Sequence, residues 1–314
     1  MSKKLAVIAI GGNSLIKDDA HQSVTDQYLA AGETCFHIAQ MIKEGWDVAI
    51  GHGNGPQIGF ILRRSELAAH ELHEIPLEVC GADTQGALGY SLQQNMYNHL
   101  NNLGLNKSVV TVVTQMEVDA DDPAFQTPSK PIGSFMSQAK AMQRRAKGWQ
   151  VIEDAGRGWR RVVASPMPKR IVEEAVIKQL LDAGVVVIAV GGGGIPVVAD
   201  EAGNLSGVPA VIDKDYAASM LATRLGADAF IISTAVKKVA LNFGQPDEVW
   251  LDHLTLAEAK SYLAEGSHFA KGSMAPKIQA VINYLEGGGT EAIITNPENL
   301  GAALRGETGT HITR

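Results

Sequence analysis

The sequence predicts an α/β protein with a mostly parallel sheet and helices on both faces. Three observations carry that expectation. Apolar, β-rich runs alternate with helix-like stretches along the 314 residues, which is βαβ grammar. Glycine clusters stand at the carboxyl ends of the apolar runs, where open α/β sheets bind their ligands. The 33 glycines exceed the usual share of about 7% without forming a low-complexity tract, so they belong to loops on a folded scaffold.

The first strand is "LAVIAI", residues 5–10, running into Gly11, Gly12 and Asn13. A helical stretch through Ala31, Cys35, Ile38 and Ile42 ends at Gly45. "DVAI" then opens into "GHGNGPQIG". A helix is predicted near 84–103, followed by "SVVTVVTQ" as one strand at 108–115 and a helix at 170–183. "VVVIAV" leads into "GGGGIP", a helix runs from Asp215 to Leu225, and "AFIIS" is a further strand. One segment, about 118–168, breaks this rhythm: it carries "DADDPAFQTPSKPIGSF", a charged helix-like piece, and "GWQVIED" and "GWRRVVAS" flanking Ala155-Gly156-Arg157 like hairpin arms. We read it as a flap inserted over one lobe. The chain divides functionally near residue 212.

Composition narrows the function classes. A net charge of −7 disfavours nonspecific attraction to nucleic acid or an anionic membrane and leaves room for a local basic pocket. Cys35 and Cys80 have no metal or redox spacing, and "MSKKLAV" lacks the long apolar segment of a signal peptide. The longest apolar run, "VVVIAV", is too short to span a bilayer. The expectation is a soluble cytosolic protein with reduced thiols.

The glycine loops suggest chemistry. Gly11-Gly12-Asn13 and Gly53-Asn54-Gly55-Pro56 each follow a strand and precede helical sequence, so free N–H groups and a helix dipole could face an anion there; two tight βα turns are the alternative reading. The Rossmann fingerprint fails at its third glycine, and no loop closes on the Gly-Lys-Ser or Gly-Lys-Thr of a Walker motif. Phosphate charge must therefore be met by lysines from elsewhere. Lys130, Lys214 and Lys277 come from three segments, which suits phosphoryl transfer, where positioning and electrostatics supply most of the rate. Singly, Lys130 and Lys277 read more readily as solvated surface residues. Lys214 is flanked by Asp213 and Asp215 at a helix start, where a carboxylate caps the helix or holds an ammonium group.

At these residues the chain resembles the carbamate kinases of the amino acid kinase superfamily along essentially its whole length. The resemblance rests on "AIGGNSL", "GHGNGPQIG", "TPSKPIGSF", "EDAGRGWRRVVASP", "GGGGIPVV", "AVIDKDYA", "HFAKGSMAPK" and "GETGTHI", in that order. It implies an open αβα sandwich that dimerises. Residues 1–211, with the flap, would bind carbamate or carbamoyl phosphate and 212–314 would bind ADP or ATP, both lobes sharing one sheet of a single domain. It also implies that Gly11, Gly12, Asn13, Gly53, Asn54 and Gly55 cradle the transferring groups, that Lys130 reaches in from the flap, and that Lys214 and Lys277 stabilise phosphoryl charge while Asp215 orients them. Thr234, Ala235, Val236, Gly272, Ser273 and Met274 would contact the nucleotide, with Mg2+ held by its phosphates and no metal ligand from the protein. The implied reaction gives ATP and carbamate from carbamoyl phosphate and ADP, in breakdown of arginine, agmatine or a ureide. Ser14, Lys237 and Lys271 depart from the pattern. A paralogue acting on another small carboxylate or carbamoyl compound, or a catalytically silent metabolite-binding protein, are the alternatives.

Overall fold

The structure, a computed structural model, describes residues 4–314 other than 13, 14, 17, 19, 155–157 and 271, with the backbone alone at 134. Its centre is an eight-stranded sheet in the order His253–Thr255, Thr310–Thr313, Glu291–Thr295, Ala229–Ser233, Leu5–Ile10, Asp47–His52, Val186–Ile188, Val109–Thr111. One pairing, between Glu291–Thr295 and Thr310–Thr313, is antiparallel; the rest are parallel.

Side chains alternate across the strands, so each strand feeds two apolar layers. Val7, Ala9, Ala49, Val187, Phe230 and Ile232 pack on one face with Leu221 of the helix Lys214–Leu225 and Ile278 and Val281 of the helix Met274–Glu286. Ala6, Ile8, Ile10, Ile50, Ile188 and Ile231 pack on the other with Cys35 and Ile38 of the helix Val24–Lys43 and Leu92 and Met96 of the helix Leu77–Asn102. A sheet covered on both faces is why these strands read as unbroken apolar runs.

Register places the site. Ile10 stands opposite both His52 and Ser233, so three adjacent strands end level and the chain leaves all three at one edge, through Gly11, Gly53 and Thr234.

Three expectations from the sequence need correction. The run 108–115 is not one strand: Val109–Thr111 belongs to the main sheet and Gln115–Val118 to a four-stranded sheet with Leu205–Gly207, Ile195–Ala199 and Pro168–Ile171. The break is fixed at buried Thr114, whose amide donates to Gln85 Oε1 (2.7 Å) and whose Oγ1 accepts from the Val190 amide (3.0 Å). The helix expected from 170 begins at Glu174, because Arg170 is held in a strand opposite Glu117 and paired with its carboxylate (2.7 Å). The helix expected near 84 begins at Leu77, directly after Pro76, whose fixed φ suits a helix entry.

Within 118–168 the two arms pair as expected, Val151 with Arg161 and Glu153 with Trp159; their tip, 155–157, lies outside the described residues. A third strand, Lys130–Met136, completes this small sheet on its edge, and the charged piece is the helix Gln138–Arg145. The Lys130 strand packs on the helix Gly55–Ala68 at a glycine pair: a Cβ on Gly59 would lie 2.6 Å from the Gly133 Cα.

Candidate active site

A cavity of about 300 Å³ opens at the level edge of the sheet. It is lined by the glycine loops (Gly11, Gly12, Gly53, Asn54 and Gly55), by Lys130 and Ile132, by Asp213, Lys214, Asp215 and Lys277, and by Thr234, Gly272 and Ser273.

The cradle differs from its sequence-based picture in which amides are available. The Gly11 amide donates to Ser233 O (2.9 Å) and the Gly53 amide to Ile10 O (3.0 Å), so both extend the sheet ladder and neither is free for an anion. Among the described residues, the amides left without a backbone partner at this end include that of Gly12 and those of Gly55 and Gln57 in the first turn of the helix Gly55–Ala68, which has no side-chain cap and so presents a positive dipole end. Neither Gly12 nor Gly53 has a positive φ. A Cβ on Gly12 would meet nothing within 4 Å among the described residues, whereas one on Gly53 would stand 3.0 Å from Lys214 Cδ. Gly12 therefore leaves open the space of the cavity, and Gly53 makes room for a lysine. Asn54 is buried, its Nδ2 donating to Thr84 Oγ1 (2.8 Å), and it fits only because the facing Gly192 has positive φ and no side chain; a Cβ there would lie 1.9 Å from Asn54 Nδ2. Asn13, Ser14 and Lys271 lie outside the described residues.

The cations converge through two aspartates. Lys214 Nζ donates to Asp215 Oδ1 (2.6 Å), Lys277 Nζ to Asp215 Oδ2 (2.9 Å), and Lys130 Nζ to Asp213 Oδ2 (2.5 Å). The sequence left open which aspartate caps the helix. Asp213 does so, accepting from the Asp215 amide (2.9 Å), which frees the Asp215 carboxylate, 3% exposed, to hold two ammonium groups. Burial alone raises the Asp215 carboxyl, but Lys214 and Lys277 outweigh it and hold the group well below the usual carboxylate range. Burial opposes charge on Lys214 too, yet Asp215 and Asp213 raise its pKa above the ordinary lysine value. Lys277 moves the other way, lowered by burial and by the neighbouring Lys214 charge. Three positive groups thus face one cavity with their number only partly balanced, an arrangement suited to an oxyanion carrying several charges.

Of the residues expected on the nucleotide side, Thr234, Gly272 and Ser273 line the cavity. Ala235 is exposed and Val236 half-buried, neither in its wall, and Met274 packs against the core. Lys237 is exposed.

Two site residues escaped the sequence reading. One is Asp213 as the partner of Lys130, a contact across 83 positions. The other is His52, 1% exposed beneath the cradle. Its Nδ1 lies 3.1 Å from Gly53 O; a carbonyl only accepts, so Nδ1 carries the proton, and Nε2 has no partner among the described residues. Burial pushes its pKa down to about 4, keeping the ring neutral. Because C=O and N–H point opposite ways across a trans peptide, a Gly53 carbonyl turned to His52 aims the Asn54 amide away from the ring. The signal in the sequence was a histidine ending an apolar strand between two glycines.

A profile of the amino acid kinase family matches residues 4–296. The chain belongs to the amino acid kinase family. The chain is 51% identical to the carbamate kinase-like protein YahI of Escherichia coli, over 99% of each chain. It is 47% identical to the carbamate kinase of Thermococcus kodakarensis, again over 99% of each. Among solved structures, carbamate kinase from Giardia lamblia bound to AMP-PNP superposes with a TM-score of 0.92 at 40% identity, covering 99% of both chains.

Proposed function

We propose that this member of the amino acid kinase family is a carbamate kinase, transferring a phosphoryl group between carbamoyl phosphate and ADP to give ATP and carbamate, which decomposes to ammonia and carbon dioxide. The observation that carries the reading is the junction of Lys130, Lys214 and Lys277 on Asp213 and Asp215, facing a glycine cradle in a chain whose full-length relatives include carbamate kinases at 45–48% identity.

The chemistry follows from charge placement. In the forward direction the phosphoryl group leaves carbamoyl phosphate and is taken up in line by the terminal ADP oxygen, so charge spreads over the oxygens of the moving group. Lys214 and Lys277, fixed by one buried carboxylate, supply compensating charge without reorganising during the step. Lys130, held by Asp213, comes from the separate strand Lys130–Met136. The first helical turn after Asn54, with its free amides, receives the carbamoyl-side oxygens. Mg2+ arrives as part of the nucleotide substrate; Asp213 and Asp215 are engaged by lysines and serve here as lysine holders. Residues 1–211 supply the carbamoyl side and 212–314 the nucleotide side, across a sheet made continuous by the pairing of Leu5–Ile10 with Ala229–Ser233. The working form is a homodimer.

The test is ATP formation from carbamoyl phosphate and Mg-ADP in a coupled assay. Production well above the uncatalysed background is expected, and none above it sinks the reading.

A further inference from the structure

Two cavities besides the catalytic one lie between the helix Gly55–Ala68 and the small sheet of 130–163. The first, of about 120 Å³, is walled by Gly59, Gly133 and Phe135 among others, and the second, of about 610 Å³, reaches to Glu74 and Pro209. They adjoin, sharing Leu62, Glu66, Arg144, Trp149 and Arg161. Their charge is opposite to that of the acidic chain: Arg63, Lys140, Arg144, Lys147 and Arg161 line them against only Glu66 and Glu74. Glu66 is already taken, accepting from Arg144 (2.6 Å) and Arg63 (3.4 Å). Arg161 is half-buried, and among the described residues no hydrogen bond or ion pair satisfies its guanidinium; its partner is the Trp149 ring, whose centroid is 4.6 Å from Arg161 Cζ and 4.6 Å from Arg144 Cζ. One indole thus gathers two guanidinium groups whose mutual repulsion is costly away from bulk water. A planar fork with unmet donors is suited to a carboxylate or phosphate.

We propose that this double cavity is a second anion site, for a small organic polyanion bearing phosphate or carboxylate groups, held by Arg161, Lys140 and Lys147 against the Trp149 face. The site meets the phosphoryl-transfer cavity at Ile132, which lines both, and its wall also includes Gly133 of the same strand, the one that begins at Lys130. Occupancy therefore ties the cradle's helix to the segment that carries a catalytic lysine, which makes the site a place from which metabolite levels adjust Lys130.

The experiment is calorimetric titration of the full chain with pyrophosphate and, separately, with citrate. The two arms distinguish a phosphate ligand from a carboxylate one, and amide exchange of residues 130–136 is followed with and without each. One binding event is expected that persists in Lys214→Ala, weakens at least tenfold in both Arg161→Met and Lys140→Glu, and slows exchange across 130–136. Lys140 is exposed, so its variant tests the site even where loss of the Arg161 stacking disturbs folding. Equal binding by wild type and both cavity variants, loss of every binding event in Lys214→Ala, or unchanged exchange across 130–136 would overturn the proposal.

Discussion

A carboxylate shared by two lysines makes Asp215 the residue on which the site's charge depends. On the proposed mechanism, removing either ammonium group takes away a partner of the transition state, which commonly costs about 3 kcal/mol, or roughly a hundredfold in rate. Lys214→Ala and Lys277→Ala are therefore expected to lower kcat by about that factor; unchanged turnover removes the residue from the catalytic set. Asp215→Asn acts on both lysines at once. It leaves two half-buried cations without their shared, buried partner, and breaking a buried ion pair costs about 3–5 kcal/mol. The pH dependence gives the sign. Since the folded carboxyl is depressed below its usual 3.8, its contribution to stability is present above pH 3.8 and is lost as the pH falls further, through the folded pKa. Melting curves of wild type and Asp215→Asn should differ most near neutrality and draw together below that value; a gap that stays constant down to pH 2 contradicts the pairing. Gly12 and Gly53 separate in the same way. Alanine at Gly12 enters open cavity and should abolish turnover in a protein that melts normally, whereas alanine at Gly53 pushes on Lys214 Cδ and should lower both kcat and melting temperature. Near-normal kcat in Gly12→Ala reduces that loop to a structural turn.

Among the elements, the small sheet of 130–163 governs Lys130. Its edge strand Lys130–Met136 approaches the helix Gly55–Ala68 only because Gly59 and Gly133 both lack side chains. Gly59→Ala forces the two backbones apart, and at a site where a displacement of about 1 Å can cost roughly a hundredfold in rate the expected result is a fall in kcat/KM with the main sheet intact by circular dichroism. Wild-type kinetics in that variant uncouple the strand from catalysis. This contact was not legible in the sequence. "TPSKPIGSF" reads as a loop because Pro131 and Gly133 are poor strand residues, and the strand exists because it is an edge, where a missing N–H is tolerated. The strands Leu5–Ile10 and Asp47–His52 and the helix start at Lys214 were legible, since each is specified by neighbours in the chain. What escaped were pairings fixed by the assembled fold: Lys130 with Asp213, Thr114 with Gln85, and the use of the Gly11 and Gly53 amides in the ladder. Local pattern names the donors; register decides which stay free.

On the scale of the whole molecule, the helices Val24–Lys43 and Leu77–Asn102 present a surface that the monomer does not use. They pack on each other through Gly32, where the Asn95 side chain leaves no room for a Cβ and His99 Nε2 lies 2.9 Å from the carbonyl. Their inner faces supply Cys35, Ile38, Leu92 and Met96 to the core. Their outer faces expose Leu29 and Phe36 on one helix and Tyr90 and Tyr97 on the other, each pair seven residues apart and so on one side of its helix, with Tyr90 64% and Tyr97 59% exposed. Aromatic residues grouped on a water-facing helix pair are characteristic of association surfaces, and a single such patch repeated on an identical chain closes as a twofold dimer. None of these four side chains lines the catalytic cavity, so dimer formation and phosphoryl transfer should separate on mutation. Sedimentation of the wild type at micromolar concentration is expected to give twice the chain mass of 33.3 kDa. The double variant Phe36→Asp, Tyr97→Asp should sediment as a monomer, because each copy of the interface then carries four buried like charges. A wild type that sediments at the monomer mass, or a double variant that remains dimeric, places the interface elsewhere.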